Sequence, residues 1–298
     1  MDYVEFHREP PANLRTMVVA FGGWIDAGEA VTGAMRYLVR HLSASRLASI
    51  DPEEFFDFTK MRPMVRITAD GQRAIRWPRS QFFTWEPSEG RAGLLLFRGM
   101  EPHRLWRTYA KLLLDIAEQC GVQRIVSLGA LLAALPHTRP PRVTASSTDP
   151  AWQALLEEWG IYRRPTYEGP TGIATIVMDA ARQRGMPYLS FMGQAPHYLQ
   201  GSTNPAVSQT LLTYVTRLLG LELDLSQLDE AVQVFCAQCD QAVARDTSIQ
   251  DYVRQLEQDY DSTVDEAPRP LRDEDLNSEK LMQELEDFLR KEREGEAE

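Results

Sequence analysis

The feature that most constrains this chain is a repeated grammar, in which a short apolar run rich in β-branched residues ends in glycine or a polar loop and is followed by an amphipathic helical pattern. Leu14 to Phe21 is such a run, Gly22-Gly23 closes it, and helical periodicity extends from Gly28 to Leu42. A buried strand feeding a crossover helix reads this way in α/β proteins. The same order returns at Leu94–Phe97 with a helix over 105–119, and at Arg124–Leu128. A strand at 142–145 precedes a short helix at 152–159. A helix at 173–184 precedes a strand at 187–192, and a further helix covers 205–219. Helices between strands at this spacing predict an α/β fold with a mostly parallel sheet covered on both faces.

One segment departs from the rhythm. Arg62 to Thr68, then Ala69-Asp70-Gly71, then Gln72 to Trp77 alternates around an Asp-Gly turn and predicts an inserted β-hairpin. Beyond Leu225 the β signals stop, and two helices are expected at 228–244 and 249–260. The chain therefore divides into an α/β domain (1–223), a helical appendix (224–261) and an acidic tail (262–298). From Asp261 onward there are fourteen acidic and six basic residues, a net of −8 within the −11 of the 298-residue chain. The folded part is thus nearly neutral. The tail is expected to be solvated and partly disordered, with an amphipathic stripe at Leu281, Leu285, Phe288 and Leu289 after an Asn277 or Ser278 cap.

Charge and cysteine content exclude several classes. A net of −11 argues against a general binder of phosphate backbones, so no nucleic-acid partner is expected. Three cysteines do not make a disulfide framework, which points to a reducing cytoplasm. The polar start, Met1 to Glu9, is not a signal peptide, and no stretch is long enough to span a bilayer.

The candidate chemistry lies in loops after expected strands. Gly22, Gly23 and Asp26 sit where a strand meets a helix, and backbone N–H groups there can hold an anion; the plainer reading is a tight turn with Asp26 capping the helix. Glu168 and Thr171, in Tyr167-Glu168-Gly169-Pro170-Thr171-Gly172, precede another helix with Thr171 as its expected cap. His137 and His197 each follow a proline after a strand. With Asp26 and Glu168 they could line an acid/base pocket at the carboxyl ends of the strands, against the plainer reading of turn histidines bonded to backbone. No Gly-x-Ser-x-Gly elbow supports a serine hydrolase. Cys236 and Cys239 have metal spacing but only two ligands, and no metal or cofactor is expected. Trp77 and Trp106, each beside proline and arginine, fit either the core or a protein interface.

Taken in order, the motifs resemble the proteasome assembly chaperone 2 family. They are Ala20-Phe21-Gly22-Gly23-Trp24-Ile25-Asp26-Ala27-Gly28, Asp57-Phe58-Thr59 with Arg62-Pro63, Ile75-Arg76-Trp77-Pro78, and Gly99-Met100-Glu101-Pro102. Leu128-Gly129-Ala130-Leu131-Leu132 through Pro136-His137-Thr138-Arg139-Pro140 follows, then Tyr167 to Gly172, Pro196-His197-Tyr198, Asn204-Pro205 and Tyr252 to Glu257. The resemblance covers roughly residues 14–260 and is strongest to the bacterial branch. Gly22 and Ile25 depart from the more frequent Glu and Asn. The resemblance implies a phosphorylase/hydrolase-like α/β/α fold, protein partners with proteasome α subunits first among them, homo-oligomers, and no catalytic residue. Relatives that dock by a C-terminal hydrophobic-Tyr-any signature differ from this chain, which ends Gly295-Glu296-Ala297-Glu298. The competing reading is a small-molecule binder or hydrolase-like enzyme built on the strand-end loops.

Overall fold

A three-residue strand, Val4–Phe6 (β1), precedes the first apolar run, which forms Leu14–Gly22 (β2). The computed structural model describes residues 3–87 and 92–262. The tail, with its expected helix and cap, lies outside the described residues. After β2 come Ala30–His41 (α1), Ser45–Ile50 (β3), Met64–Ile67 (β4), Arg73–Arg76 (β5), Ser80–Trp85 (β6) and Gly93–Met100 (β7). The chain continues through Trp106–Gln119 (α2), Arg124–Ala133 (β8), Val143–Ser147 (β9), Pro150–Glu158 (α3), Ile173–Gln183 (α4) and Tyr188–Pro196 (β10). Pro205–Leu219 (α5), Ser226–Val243 (α6) and Thr247–Ser262 (α7) complete the described elements.

Eight strands make one sheet in the order β1-β3-β6-β7-β2-β8-β10-β9. The expectation of a mostly parallel sheet needs correction. Strands β7, β2, β8 and β10 run parallel, whereas β1, β3, β6 and β9 join antiparallel at the two sides. Strands β3 and β6 carry no strand signal of that kind, because Ser-Arg-Leu-Ala-Ser-Ile and Ser-Gln-Phe-Phe-Thr-Trp lack the unbroken apolar run of a strand buried on both faces.

Side-chain alternation along β2 explains the three layers. Met17, Val19 and Phe21 face α2 and α4, where Tyr109, Leu113, Ile116, Ile173 and Val177 meet them. Val18 and Ala20 face the opposite layer, against Val31, Met35 and Leu38 of α1 and Leu211 and Val215 of α5. All these residues are fully buried, and a strand sandwiched in this way must be apolar on both faces. The helical appendix folds back through a third cluster, in which Phe235, Cys239, Ile249, Val253 and Leu256 enclose Tyr198 and Leu199 beyond the end of β10.

The hairpin forms at the expected place. Val65 pairs with Ile75 across β4 and β5, and Gly71 takes a φ of 80° in the turn. It is a separate two-stranded sheet, and every one of its eight strand residues is exposed.

Candidate functional site

The loop after β2 turns sharply because Gly22 and Gly23 permit it. A Cβ on Gly22 would lie 2.6 Å from Met100 Sδ, and Gly23 has a φ of 125°, which side-chain-bearing residues rarely adopt. Asp26 then closes the start of α1: its Oδ1 accepts from Val31 N at 2.7 Å and Thr32 N at 3.2 Å, and its Oδ2 accepts from Thr32 Oγ1 at 2.7 Å. The carboxylate thus occupies the helix N–H groups that an external anion would use. Burial pushes the Asp26 carboxyl up to about 6, despite the hydrogen bonds from Thr32 and Val31 that favour its ionised form.

Glu168 and Thr171 are exposed in the loop before α4. The expected Thr171 cap does not form. Thr171 Oγ1 donates to Thr175 Oγ1 at 2.6 Å, Gly172 stands at the cap position, and the Ile173 N–H goes to Glu101 Oε1 at 2.8 Å. A carboxylate 72 positions away in sequence replaces the local hydroxyl because β7 ends beside the start of α4 and a charged acceptor bonds the N–H more strongly.

The two histidines do come together, through Tyr198, but in a buried position. His137 N donates to Tyr198 Oη at 2.7 Å, and Nδ1 of the same residue lies 2.7 Å from that oxygen. The hydroxyl proton is therefore assigned to the bond with Nδ1, which leaves Nε2–H to donate to Asp240 Oδ1 of α6 at 3.2 Å. Burial holds the His137 pKa below its usual value, although Asp240 pulls the other way. His197 Nδ1 donates to Ala133 O at 3.1 Å, and its Nε2 lies 3.0 Å from the Tyr252 hydroxyl of α7. Each imidazole links a strand end to one appendix helix. Arg139 adds an ion pair with Asp261 at 2.8 Å on the exposed side.

Nothing activates the thiols. Burial pushes Cys120 up to about 11, and both Cys236 and Cys239 are raised for the same reason. Among the described residues no group of three or more His, Cys, Asp or Glu side chains could hold a metal ion. Trp106 is partly buried with its indole N–H on Pro102 O at 2.6 Å, whereas Trp77 is 43% exposed and leans on Phe58 with ring centroids 4.8 Å apart.

Two open features of the described residues bear on function. The first is the β4–β5 arm, where Met64, Val65, Ile67 and Ile75 are each 59–66% exposed. The second is a cavity of about 740 Å³ between the arm, α1 and the ends of β2 and β7. Gly23 and Asp26 line it; Gly22, His137, Glu168, Thr171 and His197 do not. Arg36, Arg62, Arg66, Arg76, Arg79 and Arg98 surround it. Charge patterning could have found the four that fall between Arg62 and Arg79 in an otherwise acidic chain. Only the fold brings Arg36 and Arg98 to them.

Comparison with known proteins gives a consistent result. The model of the PAC2 family matches residues 20–243. A PAC2 family protein from Streptomyces avermitilis is 34% identical, with a TM-score of 0.72 over 80% of this chain and 99% of that one. A proteasome-assembly chaperone homologue from Mycobacterium tuberculosis is 32% identical, with a TM-score of 0.71 over the same shares, 80% and 99%. An archaeal proteasome activator from Pyrococcus furiosus, 20% identical over 79% of this chain and 96% of its own, shares the fold at a TM-score of 0.63. No curated protein matches the chain in sequence.

Proposed function

The chain belongs to the PAC2 family, and from that premise we propose that it is a chaperone-like protein that binds protein partners and carries out no catalysis. The proteasome-assembly chaperone homologue among its relatives supports this reading and makes proteasome α subunits the first partner to test. The observation that carries it is the arm. An isolated two-stranded hairpin is marginally stable in water, and its apolar side chains gain little where they stand. Here Met64, Val65, Ile67 and Ile75 are held in solvent on a ribbon separate from the main sheet, the arrangement of a surface that is completed by another protein. The burial of the paired histidines under the appendix fits a structural role for them better than turnover of a substrate.

Homo-oligomerisation through the same arm and a cytoplasmic site of action belong to this proposal; three free cysteines support the latter. Among the described residues no helix is long and apolar enough to cross a membrane. The test is capture of purified α subunits from the same organism by the full chain and by a Val65→Thr/Ile75→Thr variant, with the mass of the free chain measured in parallel. Each of these side chains, fully buried, contributes about 1.5–3 kcal/mol, so losing two weakens capture about tenfold or more. The pair is exposed in the free chain, so its melting temperature stays the same. Capture of equal strength by both proteins removes the arm from the proposal, and no capture by either removes the α subunits. A variant that loses only its own oligomer makes the arm a self-association surface.

A further inference from the structure

The arginine-lined cavity differs in chemistry from the apolar surface of the arm, although Met64 and Val65 of the arm also line it. Arg98 continues the row of Leu94 and Leu96 along β7, on the face that packs against α1, and it is half-buried there. Arg36 comes from α1, Arg76 and Arg79 from the strand and link after the arm's turn, and Arg62 and Arg66 from the arm's other limb. Among the described residues none of the six makes an ion pair or a side-chain hydrogen bond, whereas Arg104, Arg139, Arg182, Arg184 and Arg254 all do. Burial, together with the positive charges of Arg36, Arg76 and Arg79, holds the Arg98 pKa below its usual value. Of the six, Arg98 alone is half-buried and the other five are exposed; an anion entering the cavity would offset the cost of holding its guanidinium partly out of water beside like charges.

The charge balance indicates what kind of anion. Six arginines stand against Asp26 and Glu29, the two carboxylates of the lining, which leaves an excess of four positive charges. The volume suits one small molecule. Four carboxylates would require several residues of acidic peptide in that space, whereas a triphosphate supplies about four negative charges on a compact group that guanidinium forks grip in pairs. The position also agrees. Strands β2 and β7 are neighbours whose following helices pack on opposite faces of the sheet, so their carboxyl ends form a switch point, where open α/β sheets bind ligands. Because Asp26 already occupies the N–H groups of α1, recognition there depends on the guanidiniums.

We propose that this cavity binds a small-molecule polyphosphate of nucleoside-triphosphate size, with Arg98 at its floor and Arg36 on its wall. Calorimetric titration of the full chain with sodium tripolyphosphate at low salt tests it, with hexaglutamate as the competing anion and thermal melts as the folding control. Tripolyphosphate is expected to bind. Arg36→Ala, an exposed helix position, weakens it about tenfold, the value of one charge-assisted bond. Arg98→Gln weakens it further, and Arg15→Ala, at the far end of β2 from the cavity, leaves it unchanged. Failure of tripolyphosphate to bind overturns the proposal, as does equal weakening by Arg15→Ala. Binding of hexaglutamate as tight as tripolyphosphate overturns it in favour of an acidic peptide.

Discussion

Replacing Asp26 by asparagine should abolish a loss of stability that the buried carboxyl imposes as pH rises. The Asp26 carboxyl titrates at about 6 instead of 3.8, chiefly because it is buried, with the charge of Glu29 adding to the rise. An acid whose pKa is higher in the folded than in the unfolded chain binds its proton more tightly when folded. Its contribution to stability is therefore complete below about pH 4 and is lost as pH rises through about 6. The gap of about two pH units, at about 1.4 kcal/mol each, amounts to about 3 kcal/mol. Because Asp26 is only partly buried, about 2 kcal/mol is the better expectation. Asparagine retains an oxygen for Val31 N and Thr32 N, offers an Nδ2–H to the Thr32 hydroxyl in place of the bond that oxygen donates to Asp26, and has no charge to bury. Urea unfolding of both proteins from about pH 4 to about pH 7.5 measures the difference. The variant should gain about 2 kcal/mol on the wild type across that range. His137 titrates in both proteins and cancels. Two curves that run parallel within about 0.5 kcal/mol would refute the buried-carboxylate argument.

Tyr198→Phe should cost about 2–4 kcal/mol in urea unfolding, since it strips a partner from the His137 backbone N–H and from Nδ1 in a buried setting; an unchanged midpoint would mean that water replaces the hydroxyl. Gly22→Ala should cost about 1–3 kcal/mol, as its Cβ must displace the Met100 thioether. A loss well above that range would show that the backbone, not the flexible methionine, has to move.

The composition and period of each segment settled much of the architecture before any contact was known. Leu14 to Phe21 is apolar on both faces, so it could only be a central strand. The helices at 106–119, 173–183 and 205–219 fall within a residue or two of their periodic patterns, and the Asp70-Gly71 turn announced the hairpin. These signals are local, arising from the two-residue and 3.6-residue repeats and from turn chemistry. The antiparallel strands β3 and β6 were not legible, because half-polar stretches of six residues pair in a sheet only when neighbours supply the ladder.

The candidate site divides along the same line. Gly22, Gly23 and Asp26 announced a strand-to-helix turn, and that turn exists. The sequence did not show that Asp26 would occupy the helix N–H groups itself, or that Glu101 would cap α4 in place of Thr171. Nor could it place the histidines under the appendix, since Asp240 and Tyr252 lie more than fifty residues from the imidazoles they meet. The arginines are the extreme case: four cluster between Arg62 and Arg79, but Arg36 of α1 and Arg98 of β7 join them only through the fold. Periodic burial is a property that neighbouring residues determine among themselves. Convergence of charge depends on the order in which strands pair, which is decided by packing over the whole chain.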